Sequence, residues 1–165
     1  MKKITNMKEL VEDAHDRAKR KGWWDGETRP ENEVFWEKAA LIHSEISEAL
    51  ECYRNGEMDT VYDTDSKPTG FWTEIADVVI RCADWAGWAN ATLELKPLCP
   101  YSEPVPWVIF ALHASVTSAE RDGFEDLISH CFDMAEAHGV DLWEEINTKS
   151  AYNETRPKRH GGKKC

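Results

Sequence analysis

The sequence predicts an all-α protein, an antiparallel helical bundle of about five to six helices. Three observations carry this. Apolar residues recur at helical spacing along most of the chain. The segments between them are short and rich in Gly, Pro, Asn and Asp. No strand-like alternation runs longer than a few residues, and there is no internal repeat. Short links between amphipathic helices set neighbours antiparallel, and 165 residues suffice for one domain with a real core.

The first helix is expected over 7–20, stopped by Gly22. "WWDGETRP" (23–30) is a connection, and Asn32 is the expected cap of a long second helix ending near Arg54 at "NG". "GEMDTVYDTDSKPTG" (56–70) is a polar loop, followed by a third helix from about Phe71 to Ala89. "LKPLCPYSEPVP" holds four of the seven prolines and breaks the chain. Pro106 suits the first turn of a fourth helix reaching about Arg121. Phe124 to His138 and Asp141 to about Tyr152 complete the set, with Gly139 between them.

Composition excludes several function classes. No apolar run reaches membrane-spanning length. The opening "MKKITNMKELVED" has no apolar core of a secretory signal. Five cysteines (52, 82, 99, 131, 165) are odd in number, widely spaced and without a CxxC pair. They predict reduced thiols in a cytoplasmic protein, with neither a disulfide framework nor a thiolate zinc site. A net charge of −11 opposes stable nucleic-acid binding by the body. The last stretch, "KSAYNETRPKRHGGKKC", is the exception, with six of the twenty Lys and Arg against one acid, Glu154. A basic tail on an acidic body fits either a solvated end or one half of a metal–phosphate site.

The second helix puts acid where apolar residues belong. At about 100° per residue, Leu41, Ile42 and Ala49 lie within roughly 60° of Glu45, and Glu48 lies about 60° away at the rim of that stripe. The third helix repeats the oddity, with Glu74 among Phe71, Val78 and Trp85 and Asp77 three residues on. Antiparallel packing of the two apolar faces brings all four acids together. Four carboxylates in one cleft repel strongly unless cations offset them. Hard divalent ions with oxygen ligands do so, and Mg²⁺ typically combines a few carboxylates with substrate phosphate oxygens. A carboxylate di-iron site wants two Glu-x-x-His motifs. Only Glu12-x-x-His15 is present, on a highly charged first helix whose face reads as solvated, so hydrolysis assisted by Mg²⁺ or Mn²⁺ fits better than redox chemistry.

An ExxE, a polar loop and an ExxD in this order resemble the motif of the MazG-like, all-α nucleoside triphosphate pyrophosphohydrolase superfamily, EExxE followed by ExxD. Ser44 replaces the first glutamate of the doublet, a departure common in small phage-type members; Glu45, Glu48, Glu74 and Asp77 match. "KGWWDGE" before "ALIHSEISEALE", and the ending "KSAYNETRPKRHGGK", resemble the same subgroup. The resemblance implies a single catalytic domain over 1–150, with 91–122 a family-variable helical insertion and 151–165 a basic tail. It implies cleavage of the α–β phosphate bond of (d)NTPs to (d)NMP and pyrophosphate. Glu45, Glu48, Glu74 and Asp77 then hold Mg²⁺, and Glu45 also orients or deprotonates the attacking water. A homodimer or homotetramer is implied as well, in a host cytoplasm for a phage-encoded member.

Within that resemblance the tail gains a role. Lys149 and Asn153 share a face of the last helix, Arg156 follows, and His160 and Lys163 lie in "RHGGK"; together they could neutralise a triphosphate. Of the adjacent indoles Trp23 and Trp24, one could stack on a nucleobase; equally, one packs under the bundle and the other fills a dimer interface. Arg81, near Glu74 in helical projection, offers a non-metal partner for that acid. Asp84 is read as accepting a hydrogen bond from a site residue or capping the packing, and His43 as a hydrogen-bonded structural residue. Trp72, Trp85, Trp88 and Trp107 are read as packing. The competing readings are a non-catalytic acidic helical module, its acids solvated or paired with Arg81 and Lys38, and a dUTPase-type enzyme that also accepts diphosphates.

Overall fold

Asn6 starts α1 (Met7–Arg20) by accepting the Glu9 N–H at 3.0 Å, and Asp141 starts α6 (Leu142–Thr155) by accepting from Trp143 and Glu144. Between them run α2 (Glu31–Asn55), α3 (Phe71–Ala89), α4 (Val105–Ser118) and α5 (Glu125–Ala137); a single turn, α7 (Arg159–Gly162), follows. The computed structural model describes residues 3–96, 103–119 and 124–163. The all-α bundle is as expected, at six full helices and a turn among the described residues. The predicted fourth-helix end near Arg121 and half of the proline-rich break, 97–102, lie outside those residues.

Two starts differ from expectation. Pro30, not Asn32, is the N-cap of α2; its fixed backbone already aligns its carbonyl with the Glu33 and Val34 N–H groups, and no side chain caps the helix. The 56–70 loop contains a small hairpin, β1 (Val61–Tyr62) against β2 (Pro68–Thr69). Asp63 Oδ1 holds its turn by accepting from Asp65 and Lys67.

The hairpin returns the chain so that α2 and α3 pack face to face. Gly70 makes the return possible: at φ 128° a Cβ there would lie 2.4 Å from the Asp59 carbonyl oxygen. α3 is the axis of the molecule, with 13 of its 19 residues buried and α1, α2, α5 and α6 all against it. Gly87 lets α1 come close, since a Cβ there would meet His15 at 2.4 Å.

α4 packs on α2 and α5 through Val105, Val108, Ile109, Leu112 and Val116. It contains no charged residue. Its outer face shows Trp107, 45 % exposed, and Phe110, 70 % exposed, so Trp107 is not the packing residue expected of it. A stripe that is apolar on both faces of a helix gives sequence periodicity nothing to separate. Trp72, Trp85 and Trp88 do pack. His43 Nδ1 lies 2.8 Å from His113 Nδ1 and joins α2 to α4. Cys82 and Cys131 are fully buried free thiols, pushed up in pKa by that burial.

Candidate active site

α2 and α3 bring their acids to the head of one cleft of about 290 Å³. Glu45 and Glu74 are buried and Glu48 is exposed, and one carboxylate oxygen from each lies within 4.8 Å of the others. Ser44 donates to Glu48 Oε1 at 3.4 Å. Asp77 borders the group but is engaged elsewhere: Lys149 Nζ is 3.1 Å from its Oδ2, and Asn153 Nδ2 donates to its Oδ1 at 3.4 Å.

The protein supplies part of the compensating charge itself. Lys149, 1 % exposed, sits 3.4 Å from both Glu74 oxygens as well as beside Asp77. Arg81 donates from Nε to Glu45 Oε1 at 2.7 Å and again from Nη2 to the same oxygen. The expected pairing of Arg81 with Glu74 is therefore corrected. Seven residues bring the two into line in projection but about 10 Å apart along the axis; antiparallel α2 puts Glu45 opposite Arg81 instead.

That compensation is incomplete. Burial, working against Lys149 and reinforced by Asp77, Glu45 and Glu48, lifts the Glu74 pKa from 4.5 to about 7. Burial lifts Glu45 too, although Arg81 opposes it. Burial pulls Lys149 down, but Asp77 and Glu74 outweigh it and its pKa is raised. Four carboxylates against two cations leave a site with an appetite for further positive charge, and its oxygen donors suit a hard divalent ion.

The end of the chain lines the same cleft. Lys149, Asn153, Arg156, His160 and Lys163 all line the cleft. Asn153 Oδ1 is buried with no hydrogen-bond partner among the described residues. Burial, then Arg156, Arg81 and Lys163, depress His160 to about 4, so its imidazole is neutral at pH 7. Arg159 fixes this segment to the α1–α2 connection, from N to the Lys21 carbonyl at 3.0 Å and from Nε to the Gly22 carbonyl at 2.9 Å.

The two indoles part company. Trp23 lines the cleft and meets His160 edge to face at 5.0 Å. Trp24 does not line it: it stacks on Trp88 at 5.3 Å, donates from Nε1 to Asp84 at 2.8 Å and carries Lys38 over its ring. A nucleobase platform at Trp24 is thereby excluded, because Trp88 and Lys38 already take up its ring. Asp84 also faces His15 Nδ1 at 3.0 Å, so the Glu12–His15 helix face, expected to be solvated, is turned inward at His15.

Sequence reasoning missed Arg17, Lys21 and Lys67 as lining residues and gave Lys38 only a pairing role. Two left a signal. Arg17 interrupts the buried stripe Leu10, Ala14, Ala18, and Lys38 stands seven residues before Glu45 on the same face of α2. Eight Lys and Arg line the cleft against five Asp and Glu, in a chain of net charge −11. The cleft thus pairs an acidic head with a cationic surround. Comparison with protein-family models, with curated proteins and with solved structures gives no match.

Proposed function

We propose that this chain is a metal-dependent (d)NTP pyrophosphohydrolase of the MazG-like kind, cleaving between the α and β phosphates to give (d)NMP and pyrophosphate. One observation carries the reading: three clustered carboxylate oxygens and a set of phosphate-suited cations line a single cleft. A nucleoside triphosphate in complex with Mg²⁺ has the matching chemistry, anionic along its chain and cationic where the metal sits. Glu45, Glu48 and Glu74, with Asp77 beside them, would hold Mg²⁺ or Mn²⁺. The ion, when bound, supplies Lewis-acid charge stabilisation and lowers the pKa of a coordinated water.

Glu45, at the carboxylate cluster, is the group suited to take a proton from the attacking water. From α6, Lys149 holds Glu74 and Asp77 in place while Asn153 orients phosphate oxygens, and Arg156 and Lys163 neutralise the leaving pyrophosphate. Trp23, at the mouth, offers an aromatic surface to the base. The uncharged outer face of α4 supports a homodimer or homotetramer, since two chains of this net charge approach most easily through neutral surface.

Incubation with each (d)NTP and Mg²⁺, followed by product identification, tests the reading; monophosphate and pyrophosphate are expected, and turnover of diphosphates would mark the dUTPase-type variant. The ion pairs of Arg81 and Lys149 favour a second reading, an acidic helical module needing no metal. No turnover with any nucleotide, together with no metal-dependent thermal shift, would select it.

A further inference from the structure

Arg81 and Lys149 both compensate acids of the site, but they are placed differently. Lys149 is enclosed, and it keeps Asp77 as a partner whatever happens to Glu74. Arg81 stands one turn beyond Asp77 on the same face of α3, lines the cleft, and has a side chain 36 % exposed. It directs two donors at a single oxygen of Glu45. A carboxylate oxygen accepting two charge-assisted bonds has little left to offer a second cation. The other oxygen, Oε2, is not held by Arg81, but an ion bound there would lie beside the guanidinium charge, so the guanidinium and a divalent ion compete for Glu45.

We propose that Arg81 is the internal competitor for metal at Glu45, and that it turns to the substrate phosphates when Glu45 takes a divalent cation, which makes Arg81 a phosphate-binding residue. The inference rests on the metal-dependent reading above. The exchange keeps every charge paired: Glu45 trades a guanidinium for a metal ion, and the guanidinium trades a carboxylate for phosphate oxygens in the same cleft. Its planar fork matches both partners.

Two titrations with opposite signs test it. Mn²⁺ alone, followed by the electron paramagnetic resonance signal of the free ion, should bind R81M about tenfold more tightly than wild type, because the competitor is gone. Tripolyphosphate, titrated calorimetrically at saturating Mn²⁺, should bind R81M about tenfold more weakly. R81K keeps the charge without the fork. It should bind Mn²⁺ close to the wild-type level while losing affinity for tripolyphosphate, and it serves where R81M does not retain its helical circular dichroism. A folded R81M that binds Mn²⁺ no more tightly than wild type overturns the inference alone, as does unchanged tripolyphosphate affinity in both variants. Wild-type protein that binds no Mn²⁺ at millimolar concentration overturns the metal reading and this inference together.

Discussion

The two walls of the cleft are built by opposite means. The acidic wall lies mid-helix on α2 and in the first two turns of α3, and holds its carboxylates in place against their mutual repulsion. The basic wall ends in α7, where Arg159 and His160 take left-handed backbone angles, both at φ 47°, and no residue is buried. The clustered acids sit on long helices; on the proposed function, the charge that meets the phosphates sits on a segment tied down by a few polar contacts. The contrast predicts that damage to the acids, or to Lys149 which pairs with them, changes chemistry and stability together, whereas damage to Arg156, His160 or Lys163 changes mainly binding.

Glu45→Gln should show the largest effect on turnover, a loss of about a hundredfold or more, since on the proposed function it removes a metal ligand and the proton acceptor at once. Initial rates of pyrophosphate release measure it. Lys149→Met should show the largest effect on stability. It leaves Glu74 and Asp77 facing each other without their shared cation, and breaking a buried pair from one side costs about 3–5 kcal/mol. Chemical denaturation without metal reads this directly, and added Mg²⁺ should recover part of the loss. A Lys149→Met protein as stable as wild type would mean that the acidic wall is not under electrostatic load.

The pH dependence sharpens the same point. Glu74 keeps a proton up to about pH 7 in the folded chain but loses it near 4.5 when unfolded. Between those values the native state binds more protons, so the metal-free protein loses stability as pH rises through the window; the contribution is fully present only below 4.5. Melting temperature without metal should fall from pH 5 to pH 8, and Mg²⁺ should flatten the slope. Glu74→Gln should reduce the fall, leaving the part that comes from Glu45, and melt above wild type at pH 8. Glu45→Gln should gain less, because it strips Arg81 of its partner.

The acidic wall was legible in the sequence because its signal is a contradiction. Glu45 and Glu74 stand among Ile42, Ala49, Phe71 and Val78, and helical periodicity alone exposes them. The span of α3 and the cleft positions of Lys149, Asn153, Arg156, His160 and Lys163 were also readable, the latter through the resemblance. What pairs across helices was not. Arg81 chose Glu45 over Glu74, Trp24 rather than Trp23 went under the bundle, and His15 found Asp84, because rise along the axis and interhelical register are absent from a one-dimensional pattern. Trp107 misled for another reason: an indole reads as core until the neighbouring helices are known to leave it uncovered.

The smallest expected effect tests the strained side of the comparison. Left-handed backbone costs a residue with a Cβ roughly 1 kcal/mol or more relative to glycine. His160 bears that cost while its ring meets Trp23 and lines the cleft. His160→Ala and His160→Gly both lose the ring, so their difference isolates the backbone. The glycine variant should be the more stable by about 1 kcal/mol, or roughly 2–4 °C in melting temperature for a chain of this size. Both should raise the KM for nucleotide several-fold with little change in kcat, because the ring contributes to holding the substrate and not to the reacting atoms. Equal stability of the two variants would show that α7 is not strained at this position. A drop in kcat in either would place His160 closer to the chemistry than the geometry of the two walls assigns it.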